Sequence, residues 1–218
     1  MPRSKLDQEF IKIKRDLRSM SKLVQKGLTE AMDALRNRDT KLYSKVIKRD
    51  REEIDVLYIK IEERCIHCIA LHQPVAGDLR FISTAMGVAA NLERIGDYAK
   101  DIAMIVPFIE NEKPLENVEK ILQEMGDITV IMTKNAVHSF INKNKSYVDK
   151  VNIDEEKIDT LYGNVFQKLK EKLTMSCSSA PLALNLLLVA RYLERIGDHA
   201  VNISKRTMYV IKGVWKYM

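Results

Sequence analysis

Aromatic side chains are scarce in this chain, at 6% of 218 residues, and Pro (5) and Gly (8) are few. Sheet proteins draw on aromatic and β-branched strands joined by Gly- and Pro-rich turns. Their shortage, beside plentiful Leu, Ile, Lys and Glu, favours long helices over a sandwich or a wound sheet. Long apolar runs are missing too. The most apolar stretch, Pro181–Ala190, is too short to span a bilayer and runs straight into charged residues. The opening residues MPRSKLDQEF have no apolar signal core. The expected location is cytoplasmic, with a membrane reached only through partners. No phosphate-cradling glycine loop, Walker sequence or nucleophile elbow is present, which removes the commonest nucleotide and acyl-transfer chemistries.

Cysteine is also sparse and odd in number: Cys65, Cys68 and Cys177. Cys65 and Cys68 form a CxxC-like pair, but they share an apolar helical stripe with Ile61 and Ile69, and there is no second CxxC. They read as small core residues in a reducing compartment rather than a redox or zinc site. The net charge of +6 comes from 36 basic and 30 acidic residues mixed along the chain. Its best cluster, Lys12, Lys14, Arg15 and Arg18, reads as a solvated face, with an acidic protein partner as the second reading. No aromatic side chains are interleaved with it as stacking platforms, so no nucleic-acid partner is expected.

Apolar periodicity and breakers predict six helices, an all-α fold. They cover about Leu6–Leu35, Leu42–Leu71, Gly77–Ile109, Glu116–Phe140, Ser146–Thr174 and Ser179–Lys212. Pro74 ends the second, Pro107 is expected to kink or end the third, and Pro181 suits the first turn of the sixth. Glu110–Leu115 (ENEKPL) is the one convincing linker. The pattern then starts again. An offset of 101 places Leu92–Asp97 on Leu193–Asp198, both reading LERIGD, and Val88-Ala89 on Val189-Ala190. Upstream, Ile54-Asp55-x-Leu57-Tyr58 falls on Ile158-Asp159-x-Leu161-Tyr162 at an offset of 104, and Met20 and Ala31 fall on Met125 and Ala136 at 105. Three stretches in the same order indicate a duplicated three-helix unit. The expected domains are residues 1–110 and 116–218, packed side by side or end to end.

Within that frame the acidic residues are patterned. Glu93, Asp97 and Asp101 follow an i, i+4, i+8 spacing and share one side of the third helix. Glu194, Asp198 and Asn202 repeat this on the sixth, and Glu155 and Asp159 make a similar pair on the fifth. On the second helix the matching positions are Arg51 and Asp55, with Asp50 nearby. Like charges at i, i+4 disfavour a helix by roughly 0.2–0.5 kcal/mol per pair, so something positive is expected among them. That is either an arginine network (Arg80, Arg94, Arg191, Arg195) or a bound cation. Arg94 and Arg195 point about 100° away from the neighbouring Glu, so neither is expected to fold back onto it. An all-oxygen set suits hard or borderline divalent or trivalent ions such as Mg²⁺, Mn²⁺, Ca²⁺ or iron, and shared carboxylates can bridge more than one. Neither Glu93 nor Glu194 has His at +3, so oxidative di-iron chemistry is not expected. Gly96 and Gly197 each cost a helix about 1 kcal/mol relative to Ala, which points to close helix packing rather than close ligand approach.

His72–Arg80 (HQPVAGDLR) is similar to the QPxAxDLR segment of the PhoU family of phosphate-uptake regulators. Both LERIGD segments, with Asp-Ile-Ala and Asn-Ile-Ser following, and the closing Tyr209–Gly213 resemble the same family, in order over nearly the whole chain. The resemblance implies two three-helix bundles related by pseudo-two-fold symmetry and a non-enzymatic role that dampens phosphate import and starvation signalling. Its implied partners are the ATPase subunit of a phosphate ABC transporter, a sensor histidine kinase in bacteria, and a second copy of the chain as a homodimer. It also implies multinuclear iron or zinc clusters on E(D)xxxD motifs, which map here onto Glu93/Asp97, Glu194/Asp198 and Glu155/Asp159. One departure stands out: Arg51 occupies the acidic slot four residues before Asp55. Asp50 could substitute for it, or Arg51 could itself neutralise the site; the second half is expected to be the more complete site. Two other function classes compete: a metal-dependent phosphohydrolase using the same carboxylates, and a nucleic-acid binder with steep salt dependence.

Overall fold

The computed structural model describes residues 3–175 and 179–214, with side chains from residue 5 onward except those of residues 51 and 175. Cys177 lies outside the described residues. The helices are α1 (Arg3–Asn37), α2 (Thr40–Arg49), a π-helical turn (Asp50–Ile54), α3 (Asp55–His72), α4 (Ala76–Ile109), α5 (Glu116–Asn142), α6 (Lys145–Met175) and α7 (Ala180–Lys212). All six predicted helices are present, the second being one rod made of α2, the π turn and α3. No strand occurs among the described residues.

Local chemistry explains the boundaries. Asp39 caps α2: its carboxylate accepts the Lys41 and Leu42 amides at 2.9 and 3.1 Å. Asn144 does the same before α6, accepting the Ser146 amide at 2.9 Å. Lys143 and Gly213 close α5 and α7 in left-handed conformation, at φ 51° and 77°. Pro107 does not end α4, which runs on to Ile109. So near the C-terminus the missing amide costs only one bond.

The core follows the stripes. Ile13, Leu17, Met20, Val24, Leu28 and Ala31 of α1 are fully buried, as are Ile82, Val88, Leu92 and Ile95 of α4. Cys65 and Cys68 lie in the same core, and burial pushes the Cys65 thiol up to about 12, so it is not poised as a thiolate. α1, α4, α5 and α7 pack as a central layer, with α2–α3 flanking α1 and α4, and α6 flanking α5 and α7. The two bundles therefore sit side by side. Phe81 of α4 joins them at one pole, lying 4.9 Å from Phe10 of α1 and stacked 5.0 Å from Phe140 of α5.

α4 and α7 cross antiparallel. The His199 ring Nδ1 donates to Asn91 Oδ1 at 2.9 Å, while Asn91 donates its own amide to the Gly87 carbonyl. That second bond orients the amide, and burial lowers the His199 pKa, favouring the neutral ring. About two turns away, Tyr98 and Tyr192 pack ring to ring at 5.7 Å. At the 101 offset Asn91 corresponds to Tyr192 and Tyr98 to His199. The two contacts are thus one contact repeated by the pseudo-dyad, polar on one side and aromatic on the other.

Candidate functional site: two carboxylate clusters

Each half sets the acidic face of its third helix against its second. In the second half Glu194 and Asp198 of α7 lie near Glu155 and Asp159 of α6. Burial raises the Glu194 and Glu155 pKa values, with Asp198 and Asp159 respectively as the next largest cause. Asp198, Asn202 and Glu155 line one polar cleft of about 240 Å³, together with Arg195, His199, Lys205 and Tyr98 from the other half. Arg191 donates to Glu194 at 2.7 Å and Arg195 to Asp198 at 2.9 Å. Arg195 Nε also stands 3.8 Å from Glu194 Oε2, and Arg94 Nε stands 3.8 Å from Glu93 Oε2. Both arginines therefore do reach back to the adjacent glutamate, contrary to the expectation from helical angle. Their long stems let one guanidinium span the i and i+4 carboxylates from outside. These arginines sit on the rim: the Arg191, Arg195 and Arg94 side chains are 40, 44 and 63% exposed.

The first half is built differently, and the π turn is the reason. The 105 offset continues past the caps Asp39 and Asn144 to Val46 and Val151, both buried, and then to Asp50 and Glu155. From Ile54 and Ile158 onward it is 104. The first half thus carries one extra residue between Ile47 and Ile54, and the π turn Asp50–Ile54 absorbs it. The Asp55 amide bonds the Asp50 carbonyl, an i+5 link that puts the two acids on one face. Asp50, not position 51, is therefore the counterpart of Glu155, and the slot that Arg51 seemed to have emptied is filled. The side chain of Arg51 is outside the described residues.

Asp50 is also deeper than Glu155, at 3% exposure against a half-buried glutamate. Gly96 makes the room: a Cβ there would lie 3.0 Å from Asp50 Oδ1 and 3.2 Å from Ile54 Cδ1. At Gly197 the nearest atom to such a Cβ is 3.6 Å away, an ordinary contact. Close packing explains Gly96 and leaves Gly197 unexplained. Lys100 then reaches in from α4, bonding Asp50 at 2.7 Å and Asp97 at 2.5 Å. The sequence reading did not single out Lys100. Its signal was the i+3 spacing from Asp97, but its link to Asp50 is a tertiary contact. Glu93 and Asp101 complete the group. Their pKa values are raised, first by burial; Asp97 raises both, while Arg94 and Lys100 respectively offset this.

As they stand, no three His, Cys, Asp or Glu side chains among the described residues converge tightly enough to hold a metal ion. Both clusters keep a buried carboxylate oxygen with no hydrogen bond, Asp50 Oδ1 and Glu194 Oε2; the second, with an all-oxygen donor set and a cleft beside it, has residues that fit a hard cation. The first has an ammonium between two of its carboxylates. The N-terminal basic cluster is dispersed: Lys12 pairs with Glu9 at 2.6 Å, Arg15 with Asp16 at 3.5 Å, and Lys14 is folded over the Phe81 ring.

Comparison with known proteins agrees with this geometry of two halves. The family model for the PhoU domain matches twice, over residues 17–106 and 122–207. The chain belongs to the PhoU family. It is 36% identical over 209 residues to the phosphate-specific transport system accessory protein PhoU homolog of Aquifex aeolicus, covering 96% of this chain and 94% of that one. It is 32% identical over 214 residues to PhoU homolog 1 of Methanothermobacter thermautotrophicus, covering 96% and 95%. The crystal structure of PhoU from Pseudomonas aeruginosa superposes with a TM-score of 0.90 at 27% identity, over 95% of this chain and 99% of that one. The PhoU structure from Streptococcus pneumoniae, titled a phosphate transport system regulatory protein, gives 0.87 at 25% identity over 98% and 100%. Among the described residues no helix is long and apolar enough to cross a membrane.

Proposed function

We propose that this protein is a non-enzymatic cytoplasmic regulator of phosphate uptake and phosphate-starvation signalling. It acts as an adaptor on the ATPase subunit of a phosphate ABC transporter and, where one is present, on a sensor histidine kinase, meeting the membrane only through them. The observation that carries this reading is PhoU membership over both halves, with full-length relatives named as accessory proteins of phosphate-specific transport. Its docking faces are the carboxylate-bearing sides of α4 and α7 and the outer faces of α3 and α6. On α3 the apolar Val56, Ile59 and Ile66 are each more than half exposed, as are Ile153 and Phe166 on α6. Exposed apolar side chains beside charged clusters suit protein partners, including a second copy of the chain.

A hard divalent or trivalent ion belongs to this reading in the second half, held by Glu155, Asp159, Glu194 and Asp198 with Asn202 alongside. Such an ion supplies positive charge that relieves repulsion between α6 and α7. The side chains do the positioning: Arg191 orients Glu194, and Arg195 orients Asp198. Co-purification with the cognate ATPase subunit, in chelator and then in Mn²⁺, tests the adaptor. Binding in either condition is expected; none in both overturns it. Phosphomonoester turnover that disappears in a Glu194→Gln, Asp198→Asn double variant would replace it with the hydrolase reading.

A further inference from the structure

The first cluster already contains a cation. Lys100 Nζ hydrogen-bonds Asp50 Oδ2 at 2.7 Å and Asp97 Oδ1 at 2.5 Å, joining the π turn to α4. A metal bridging the same two side chains would need those oxygens at about 2.0–2.6 Å, so ammonium and metal compete for one place. The pseudo-dyad shows how specific this is. At the 101 offset Lys100 corresponds to Val201, a buried apolar residue, so no equivalent ammonium enters the second cluster. Lys205, on the wall of the cleft beside it, is exposed.

We propose that the Lys100 ammonium is the resident counter-ion of the first-half cluster and takes the place of a metal there, leaving metal loading to the second half. Three features of the chain converge on it. The extra residue in the π turn carries Asp50 inward, Gly96 leaves space for it, and the buried carboxylate needs a partner that is always present. A tethered lysine meets that need whatever the metal supply. The first half is then a permanently closed joint between α4 and α2–α3, and the second half is the responsive one. For its second clause this rests on the metal reading given above; the Lys100 assignment itself does not.

Equilibrium dialysis of chelator-stripped full-length protein against Mn²⁺, with the bound metal counted, tests it on four proteins. Wild type should lose its bound Mn²⁺ in the Glu194→Gln, Asp198→Asn variant. Lys100→Met should bind additional Mn²⁺, and that gain should vanish in Lys100→Met, Asp50→Asn. In chelator Lys100→Met should melt below wild type and recover when Mn²⁺ is added. No gain in Lys100→Met, or Asp50-dependent Mn²⁺ remaining in the Glu194→Gln, Asp198→Asn variant, overturns the assignment. If wild type binds nothing while Lys100→Met binds Mn²⁺, the ammonium assignment stands and the second-half metal reading falls. Lys100→Gln, whose amide keeps one donor for Asp50, gives the same readout should the methionine variant not fold.

Discussion

Gly96 and Gly197 occupy the same position of the two LERIGD segments, yet the structure assigns opposite signs to their replacement by alanine. In each case a helix-interior glycine becomes the best helix former, a gain of about 1 kcal/mol. At Gly197 the new methyl meets Met132 Cε at 3.6 Å and Ile158 Cγ2 at 3.7 Å, ordinary contacts that add a few tenths of a kcal/mol of burial. Gly197→Ala should therefore stabilise by about 1 kcal/mol. At Gly96 the methyl would sit 3.0 Å from Asp50 Oδ1 and 3.2 and 3.3 Å from Ile54 Cδ1 and Cγ2. Neither neighbour yields easily: Ile54 is 2% exposed, and Asp50 is tied to Lys100. Overpacking of this kind costs about 1–3 kcal/mol, so Gly96→Ala should lose about 1 kcal/mol net. Urea unfolding with unchanged m-values would measure both, and each kcal/mol should move Tm by about 2–4 °C in a chain of this size. Two variants shifting the same way would refute the argument that the π turn, rather than the helix, dictates the first glycine.

Burial and Asp97 raise the Glu93 pKa above the ordinary 4.5. The native state then holds that proton more tightly than the unfolded chain, so its contribution to stability falls as pH rises through and above 4.5. Glu93→Gln should stabilise the metal-free protein by a few tenths of a kcal/mol at pH 7 and have little effect near pH 4; urea midpoints at the two pH values check it, and an equal gain at both would contradict it. Arg38, in the turn after α1, and Glu119 of α5 join the halves at 2.6 Å, with side chains only 12 and 15% exposed. A double-mutant cycle with Arg38→Met and Glu119→Gln should return a coupling of about 1–2 kcal/mol that survives high salt, and a coupling near zero would assign the pair to geometry alone. Asp198→Asn should lower bound Mn²⁺ more than Asp55→Asn does. Metal analysis giving the reverse order would move the responsive site to the first half.

The sequence by itself determined what depends on neighbours along a helix. Stripes such as Ile13, Leu17, Met20 and Val24 named the buried face, because a 3.6-residue period is a local property. Pro74, Pro181 and the Glu110–Leu115 linker marked helix ends, and the paired LERIGD segments with their i, i+4 acids announced two related halves and the PhoU resemblance. Tertiary structure decided the rest. Apolar faces alone allowed the bundles to meet side by side or end to end; the antiparallel crossing of α4 and α7 at Asn91, Tyr98, Tyr192 and His199 selected the first. The change of offset from 105 to 104 signalled one extra residue, but a loop or a π turn can absorb one residue equally well. Only packing against Gly96 and Ile54 shows that it went into a π turn, turned Asp50 inward and gave it Lys100 as a partner. Two segments with one hexapeptide between them thus hold different clusters, because the contacts that distinguish them come from residues 50 positions apart.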